Sequence, residues 1–167
     1  MQRLCRLCPL LVFISLKTRR NIMRSYNVDT PKALARIIAA AMLADGGLDS
    51  TELDSLARKG IVFRIGMSEE DFDGVVQEFC EDMQLVSLRD PGGHLALDRA
   101  TIDQLLSEIG SPKLQITALG MMLDIIGADA RLNPGELTLV SQAMTRWGLE
   151  LHAVSSHREP INWPPKA

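Results

Sequence analysis

Residues 44–53 have the sequence Ala-Asp-Gly-Gly-Leu-Asp-Ser-Thr-Glu-Leu, and residues 128–137 have the sequence Ala-Asp-Ala-Arg-Leu-Asn-Pro-Gly-Glu-Leu. The two segments align without a gap at a distance of 84 positions, and five of the ten residues are identical. Apolar residues at helical spacing precede each segment, and a helix-capping sequence lies within it, so each segment joins two helices. The repeat therefore predicts a domain built from two related helical hairpins.

The rest of the chain also carries signals for helix starts and ends. Thr30-Pro31 and Ser111-Pro112 are typical helix starts, because a hydroxyl can accept from an early backbone N–H and Pro fits the first turn. A further helix is expected from Asp49 to Gly66, and Ser68 and Asn133 begin others. The sequence predicts an all-α fold, a compact bundle of about six helices.

The first 22 residues differ from the remainder. They contain five basic residues and no acidic one, and the run Leu7–Leu16 is apolar except for Ser15. This run is too short to span a bilayer as a helix. We expect residues 1–22 to lie outside the domain, as a start assigned too early, a weak membrane anchor or, third, a secretion signal. A helical domain is expected over residues 23–152, and a polar, Pro-rich, disordered tail over residues 153–167.

The net charge of −3 conceals an acidic body. After residue 22 the chain has 13 of the 18 basic residues and all 21 acidic ones, a net charge of −8. Nucleic acid is therefore excluded as a predicted partner, because phosphate binding requires a basic face. Three cysteines in a chain of this length do not form a disulfide framework, so a reducing, cytoplasmic location is expected. Membrane association is expected only if residues 1–22 are expressed.

The repeated joints contain the candidate site residues Asp45, Asp49, Glu52, Asp129 and Glu136. Helix capping and the helix dipole explain the carboxylates that begin the second helix of each joint. Asp45 and Asp129 instead follow a helix end, where the dipole disfavours a negative charge. Either an Asx-type bond to the loop or a bound cation would compensate. Carboxylate oxygens suit a divalent cation such as Ca²⁺, Mg²⁺ or Mn²⁺, and no other cofactor is indicated.

A second acidic feature is the predicted third helix, which has no Lys or Arg between Ile65 and Ser87. Because apolar residues account for its inner face, its acids are expected to lie on the solvent side. They form either a solvated face or a docking surface for a basic partner. The acids are Glu69, Glu70, Asp71, Asp73, Glu78, Glu81 and Asp82.

The segment Met42–Glu52 resembles the signature of the TerB-like family of tellurite-resistance proteins, in which Ala-Asp-Gly follows an apolar helix and an acid precedes Glu by three residues. The second copy at residues 128–137 agrees with it, and the resemblance covers roughly residues 30–150. It implies an all-α bundle in bacterial proteins linked to tellurite and other stress, and a likeness to the amino-terminal domain of a membrane-anchored DnaJ-like co-chaperone. It also implies an acidic metal-binding patch, from which Arg131 and Asn133 depart.

The sequence thus favours a non-enzymatic, TerB-like domain of a stress response. Such a domain would bind a protein partner, and with it a divalent cation, through the joint carboxylates. Two alternatives stay open at this point. One is a metal-dependent hydrolase that uses the same carboxylates to activate water. The other is a membrane-tethered scaffold of the co-chaperone type, which would require residues 1–22.

Overall fold

The computed structural model describes residues 23–44, 60–86, 97–127, 133–151, 161 and 163. Within these ranges the chain forms six α-helices and no strand, which confirms the predicted all-α fold. None of these helices is long and apolar enough to cross a membrane. The helices are α1 (Pro31–Met42), α2 (Ile61–Ile65), α3 (Glu69–Val86), α4 (Arg99–Ser107), α5 (Pro112–Ile126) and α6 (Pro134–Trp147).

Helix α1 lies at the centre of the bundle. It contacts α2, α3, α4 and α5, while α6 packs against α4 and α5. Every residue from Ala33 to Met42 is buried, which is the pattern of a helix enclosed on all faces. Five of those ten residues are Ala, so the neighbouring helices can approach its backbone closely.

The helix starts predicted at Thr30, Ser68, Ser111 and Asn133 are confirmed, although the Ser111 hydroxyl makes no capping bond, and the start predicted at Asp49 lies outside the described residues. Thr30 precedes α1, and its hydroxyl accepts from the N–H of Ala33 at 3.2 Å. Ser68 accepts in the same way from Asp71 at 3.1 Å at the start of α3. Asn133 begins α6 with a complete capping box. These bonds satisfy N–H groups that have no partner within their own helix.

The predicted apolar repeat is also found in the packing. Helices α1 and α5 contact each other, and their equivalent residues 84 positions apart all face the core. The pairs Ile37/Met121, Ile38/Met122, Ala41/Ile125 and Met42/Ile126 are at most 1 % exposed. The repeat therefore builds both halves of one shared core.

The structure bears on two further expected segments, the helix from Asp49 to Gly66 and the tail over residues 153–167. The helix expected from Asp49 to Gly66 is not continuous, because Gly60 has a left-handed φ of 56° and a new helix begins at Ile61. Residues 49–59 lie outside the described ranges. Of the expected tail over residues 153–167, only Ile161 and Trp163 are described, and both pack against the core. The extension over residues 1–22 is outside the described part.

The two acidic joints meet at their described ends. Gly135, in the second joint, lies so close to the residue before Asp45 that a Cβ on it would stand 2.0 Å from the carbonyl oxygen of Ala44. No side chain fits at that distance without a shift of the backbone. Glycine at position 135 is therefore required by the approach of the first joint.

We expect Gly135→Ala to lower the free energy of unfolding by about 1–3 kcal/mol, because its methyl group would overlap the Ala44 carbonyl. The control is Gly74→Ala in α3, where nothing lies within 4 Å and the better helix former should add about 0.5–1 kcal/mol. Urea unfolding followed by circular dichroism measures both. Equal stability of Gly135→Ala and the parent would contradict the contact between the joints.

Candidate binding surface

Of the five residues predicted as metal ligands, only Glu136 falls within the described ranges. Asp45, Asp49, Glu52 and Asp129 lie outside them. Glu136 is 3 % exposed, and its Oε2 accepts from the N–H of Asn133 at 2.9 Å. Asn133 Oδ1 in turn accepts from the N–H of Glu136, also at 2.9 Å. This reciprocal capping box gives Glu136 a structural role at the start of α6.

No group of three or more His, Cys, Asp or Glu residues in the described part of the chain is arranged to hold a metal ion. The side chain of Cys80 is half-buried on α3, where it packs against the core. The predicted cation at the joints therefore depends on carboxylates outside the described ranges, and it stays a prediction.

The first turns of α3 present a cluster of exposed carboxylates. Glu69, Glu70, Asp71 and Asp73 are exposed, and we call them the acidic surface. The Ser68 hydroxyl donates to Asp71 at 2.7 Å, so that carboxylate also takes part in the helix start. Among the described residues, no Lys or Arg forms an ion pair with any of the four. The α3 dipole favours negative charge at this end, which stabilises the arrangement.

The other end of α3 is different, and one prediction about it is wrong. Asp82 was expected on the solvent side, but it is 3 % exposed and faces α1. Its Oδ2 accepts from Arg36 Nη2 at 2.9 Å, an ion pair in the interior of the bundle. Asp82 lies seven residues after Val75 and three after Phe79, both buried. Helical spacing thus assigned it to the inner face, and its charge obscured that signal.

The guanidinium of Arg36 connects three parts of the protein. It is 1 % exposed, and besides Asp82 it donates to Glu108 Oε1 at 3.3 Å. It also donates to the backbone carbonyl of Arg24. Its Cζ lies 5.0 Å from the centre of the Tyr26 ring, a cation–π distance. Arg36 was not among the residues predicted to matter, although a single Arg in an otherwise Ala- and Ile-rich helix indicates a buried charge.

The segment 23–29, which we call the N-terminal arm, is held by the same carboxylates. Arg24 Nη1 donates to Asp82 Oδ1 at 3.0 Å, and its Nη2 donates to Glu81 at 2.8 Å. The N–H of Tyr26 donates to Glu108 Oε1 at 3.0 Å, and the Tyr26 hydroxyl donates to Glu78. The arm therefore docks across the ends of α3 and α4 through charged hydrogen bonds.

Burial raises the pKa of two groups in this network. Desolvation raises the pKa of Glu108, and the Tyr26 N–H and the charge of Arg36 offset part of that effect. Desolvation, together with the hydrogen bond to Glu78, also raises the pKa of Tyr26. Glu108 Oε2 is buried and has no hydrogen-bond partner among the described residues. A proton on Glu108 is therefore easier to hold in the folded protein than in water.

A cavity of about 530 Å³ lies between α4 and α6. It is lined by charges of both signs, and Arg146 Nη1 pairs with Asp103 at 3.4 Å across it. The lining has two positive charges, Arg99 and Arg146, against the one negative charge of Asp103, so its net charge is +1.

No protein-family model matches the chain, and neither a curated protein nor a solved structure does. The TerB-like resemblance therefore rests on the sequence motif at the joints, and the family assignment stays a prediction.

We expect Glu108→Gln to change the pH dependence of stability. A carboxyl whose folded pKa lies above its ordinary value of 4.5 gives stability that is complete below that value and is lost as the pH rises through the folded pKa. The Tm difference between variant and parent should therefore become more positive from pH 5 to pH 7.

The control is Asp98→Asn. Hydrogen bonds from Thr101 lower the pKa of Asp98 from 3.8. The contribution of Asp98 to the stability of the protein is therefore lost only as the pH falls below that value. Its Tm difference from the parent should stay constant between pH 5 and pH 7. Calorimetry of the parent and both variants at the two pH values makes the measurement. A Glu108→Gln difference that is equal at both would show that burial does not shift Glu108.

Proposed function

We propose that the chain is a TerB-like, non-enzymatic binding domain of a bacterial stress response linked to tellurite, and that its acidic surface binds a basic segment of a protein partner. One observation carries this proposal. Glu69, Glu70 and Asp73 are exposed on a helix without basic residues, and no Lys or Arg elsewhere in the described residues pairs with them.

The energetics of α3 support a binding role for these acids. Glu69 and Asp73 lie four residues apart on one helix, where like charges repel by a few tenths of a kcal/mol. The dipole favours the charge of Glu69 in the first turn, but a Lys at position 73 would replace the repulsion by an attractive pair, so the stability of the free helix does not require the charge of Asp73. Basic side chains of a partner would relieve the repulsion and would be steered by the charge of the body, −8 after residue 22.

The helix that carries the acidic surface is also held rigidly in the bundle. The apolar residues Phe72, Val75 and Phe79 fix the inner side of α3 against the core. Further along the helix, Asp82 is tied to α1 through Arg36. A partner would therefore meet carboxylates on a fixed helix, which lowers the entropy lost on binding.

We further propose that the two joints bind a divalent cation together, as the resemblance implies. The close approach of Gly135 to Ala44 supports this, because it brings the ends of both joints to one place. Glu136 would contribute by fixing the start of α6 beside the site.

We expect Glu70→Gln/Asp73→Asn to weaken the binding of an octalysine peptide about fivefold, because two exposed pairs of up to about 0.5 kcal/mol each are lost. The control is Asp103→Asn/Glu150→Gln, which changes the net charge equally on other parts of the surface. Isothermal titration calorimetry at low ionic strength gives both affinities. Equal losses in the two variants would mean that only the overall charge matters, which would contradict the proposed surface.

The cation prediction is tested by thermal unfolding of the full chain with Ca²⁺, Mg²⁺ or Mn²⁺. An ion bound only to the folded state at about 100 times its dissociation constant adds roughly 2.7 kcal/mol. We expect this stabilisation in the parent and its loss in Asp45→Asn/Asp129→Asn. If none of the three ions stabilises the parent while the variant folds normally, the joint carboxylates serve loop structure alone.

A further inference from the structure

Two residues near the end of the chain contact the C-terminal end of α2. The indole Nε1 of Trp163 donates to the carbonyl oxygen of Ile65 at 2.6 Å. The backbone N–H of Ile161 donates to the carbonyl oxygen of Arg64 at 3.4 Å. Both side chains are half-buried against the core. Carbonyl groups in the last turn of a helix have no partner within it, and here they accept from another segment of the chain.

The shape of this helix end fits an indole ring. Gly66 closes α2 with a left-handed φ of 79°. A Cβ at Gly66 would stand 3.0 Å from Trp163 Cδ1, so the ring occupies space that any other residue would fill. We call the recess formed by Arg64, Ile65 and Gly66 the α2 notch. It offers two acceptors and a slot for one flat ring.

The contact has the form of a short peptide–protein interaction. Ile161 and Trp163 both contact the end of α2, one through its backbone N–H and the other through its indole N–H. Trp is a strong anchor because it buries a large apolar ring while its N–H bonds at the edge. One of the two hydrogen bonds is long, and both side chains keep part of their surface in water. The contact is therefore only partly enclosed.

We propose that the α2 notch is a binding site for a short segment of a partner protein that carries an aliphatic residue and, two positions later, Trp. In the free protein the chain's own Ile161 and Trp163 occupy the notch and must be displaced. The chain's own segment shows the chemistry that the notch accepts. Only molecules with an empty notch can bind the partner. The apparent affinity is therefore the intrinsic affinity multiplied by the fraction of molecules with an empty notch.

The partner segment should also be basic, a feature that rests on the proposed function. The acidic surface begins at Glu69, only three residues after Gly66, so a segment bound in the notch lies close to its carboxylates. The chain's own segment has Arg158 and Lys166 on either side of the Ile161–Trp163 pair in sequence. Aliphatic, Trp and basic residues together define the partner motif.

The test uses the full chain and a fluorescent peptide with the sequence of residues 157–167. Fluorescence anisotropy gives its affinity for the parent and for the Trp163→Ala variant, in which the notch is emptied. We expect the variant to bind at least about tenfold more tightly than the parent, because the competing segment is lost. The same peptide with Trp163→Ala should bind neither protein. Circular dichroism establishes that the variant is folded.

A pair of glycine variants locates the binding site. In the Trp163→Ala background, Gly66→Ala should weaken peptide binding at least about fivefold, because its methyl group enters the slot for the ring. Gly148→Ala is the control, since Gly148 also closes a helix with a left-handed φ, 62°, but has nothing within 4 Å. A loss of binding in both variants would assign the effect to general destabilisation and overturn the notch.

Three further results would overturn the proposal. They are equal affinity of parent and Trp163→Ala for the peptide, equal binding of the two peptides, and an unfolded Trp163→Ala protein, which would make the contact a fixed part of the fold. Repeating the titration at high salt separates the two proposals. Weaker peptide binding at high salt reports on the acidic surface, because salt screens exposed charges. Dependence of binding on the peptide's Trp reports on the notch alone.

Discussion

The ion pairs of Arg36 constrain how the helices around α1 can be arranged. Helix α1 is enclosed on every side, so its one guanidinium has no route to water and must be neutralised inside the bundle. Asp82 from α3 and Glu108 at the end of α4 supply the negative charges. An ion pair of this kind contributes little net stability, because desolvating the charges offsets their attraction. Its effect is to require one register between α1, α3 and α4, since any slip would leave a buried charge unpaired.

The N-terminal arm follows from the same constraint. One cation and two carboxylates leave an excess of negative charge in the interior, and Arg24 adds the second positive charge at its edge. The carbonyl of Arg24 accepts from Arg36, so the arm also satisfies a donor that α1 cannot. Tyr26 covers the guanidinium with its ring and reaches Glu78 with its hydroxyl. The arm has no regular secondary structure, yet it completes the polar interior and belongs to the folded domain.

Features fixed by neighbouring residues in the sequence were predictable, and features fixed by tertiary partners were not. Thr30 and Asn133 cap helices because of atoms two or three residues away, and the sequence shows both residues and their contacts. The apolar repeat between α1 and α5 is likewise a local periodicity. By contrast, Asp82 is buried only because Arg36 lies opposite it on another helix. Gly60 interrupts a predicted helix, and no capping pattern announces it. Of the candidate site, the acidity of α3 was evident, but which carboxylates face solvent required the partner helices.

The same helix therefore uses carboxylates for two purposes, and burial separates them. Asp82 lies on the core-facing side of α3, where its carboxylate pairs with Arg36 of α1 and Arg24 of the arm. Glu69, Glu70 and Asp73 lie beyond that spacing, nearer the helix start, where the dipole tolerates them and the described residues offer no cation. Because the inner carboxylate fixes the helix, the outer ones can change without loss of the fold.

The α2 notch lies immediately before these outer carboxylates in sequence, and its acceptors are backbone carbonyls that no side-chain substitution removes. A partner that uses both regions would gain orientation from the backbone of α2 and charge complementarity from α3.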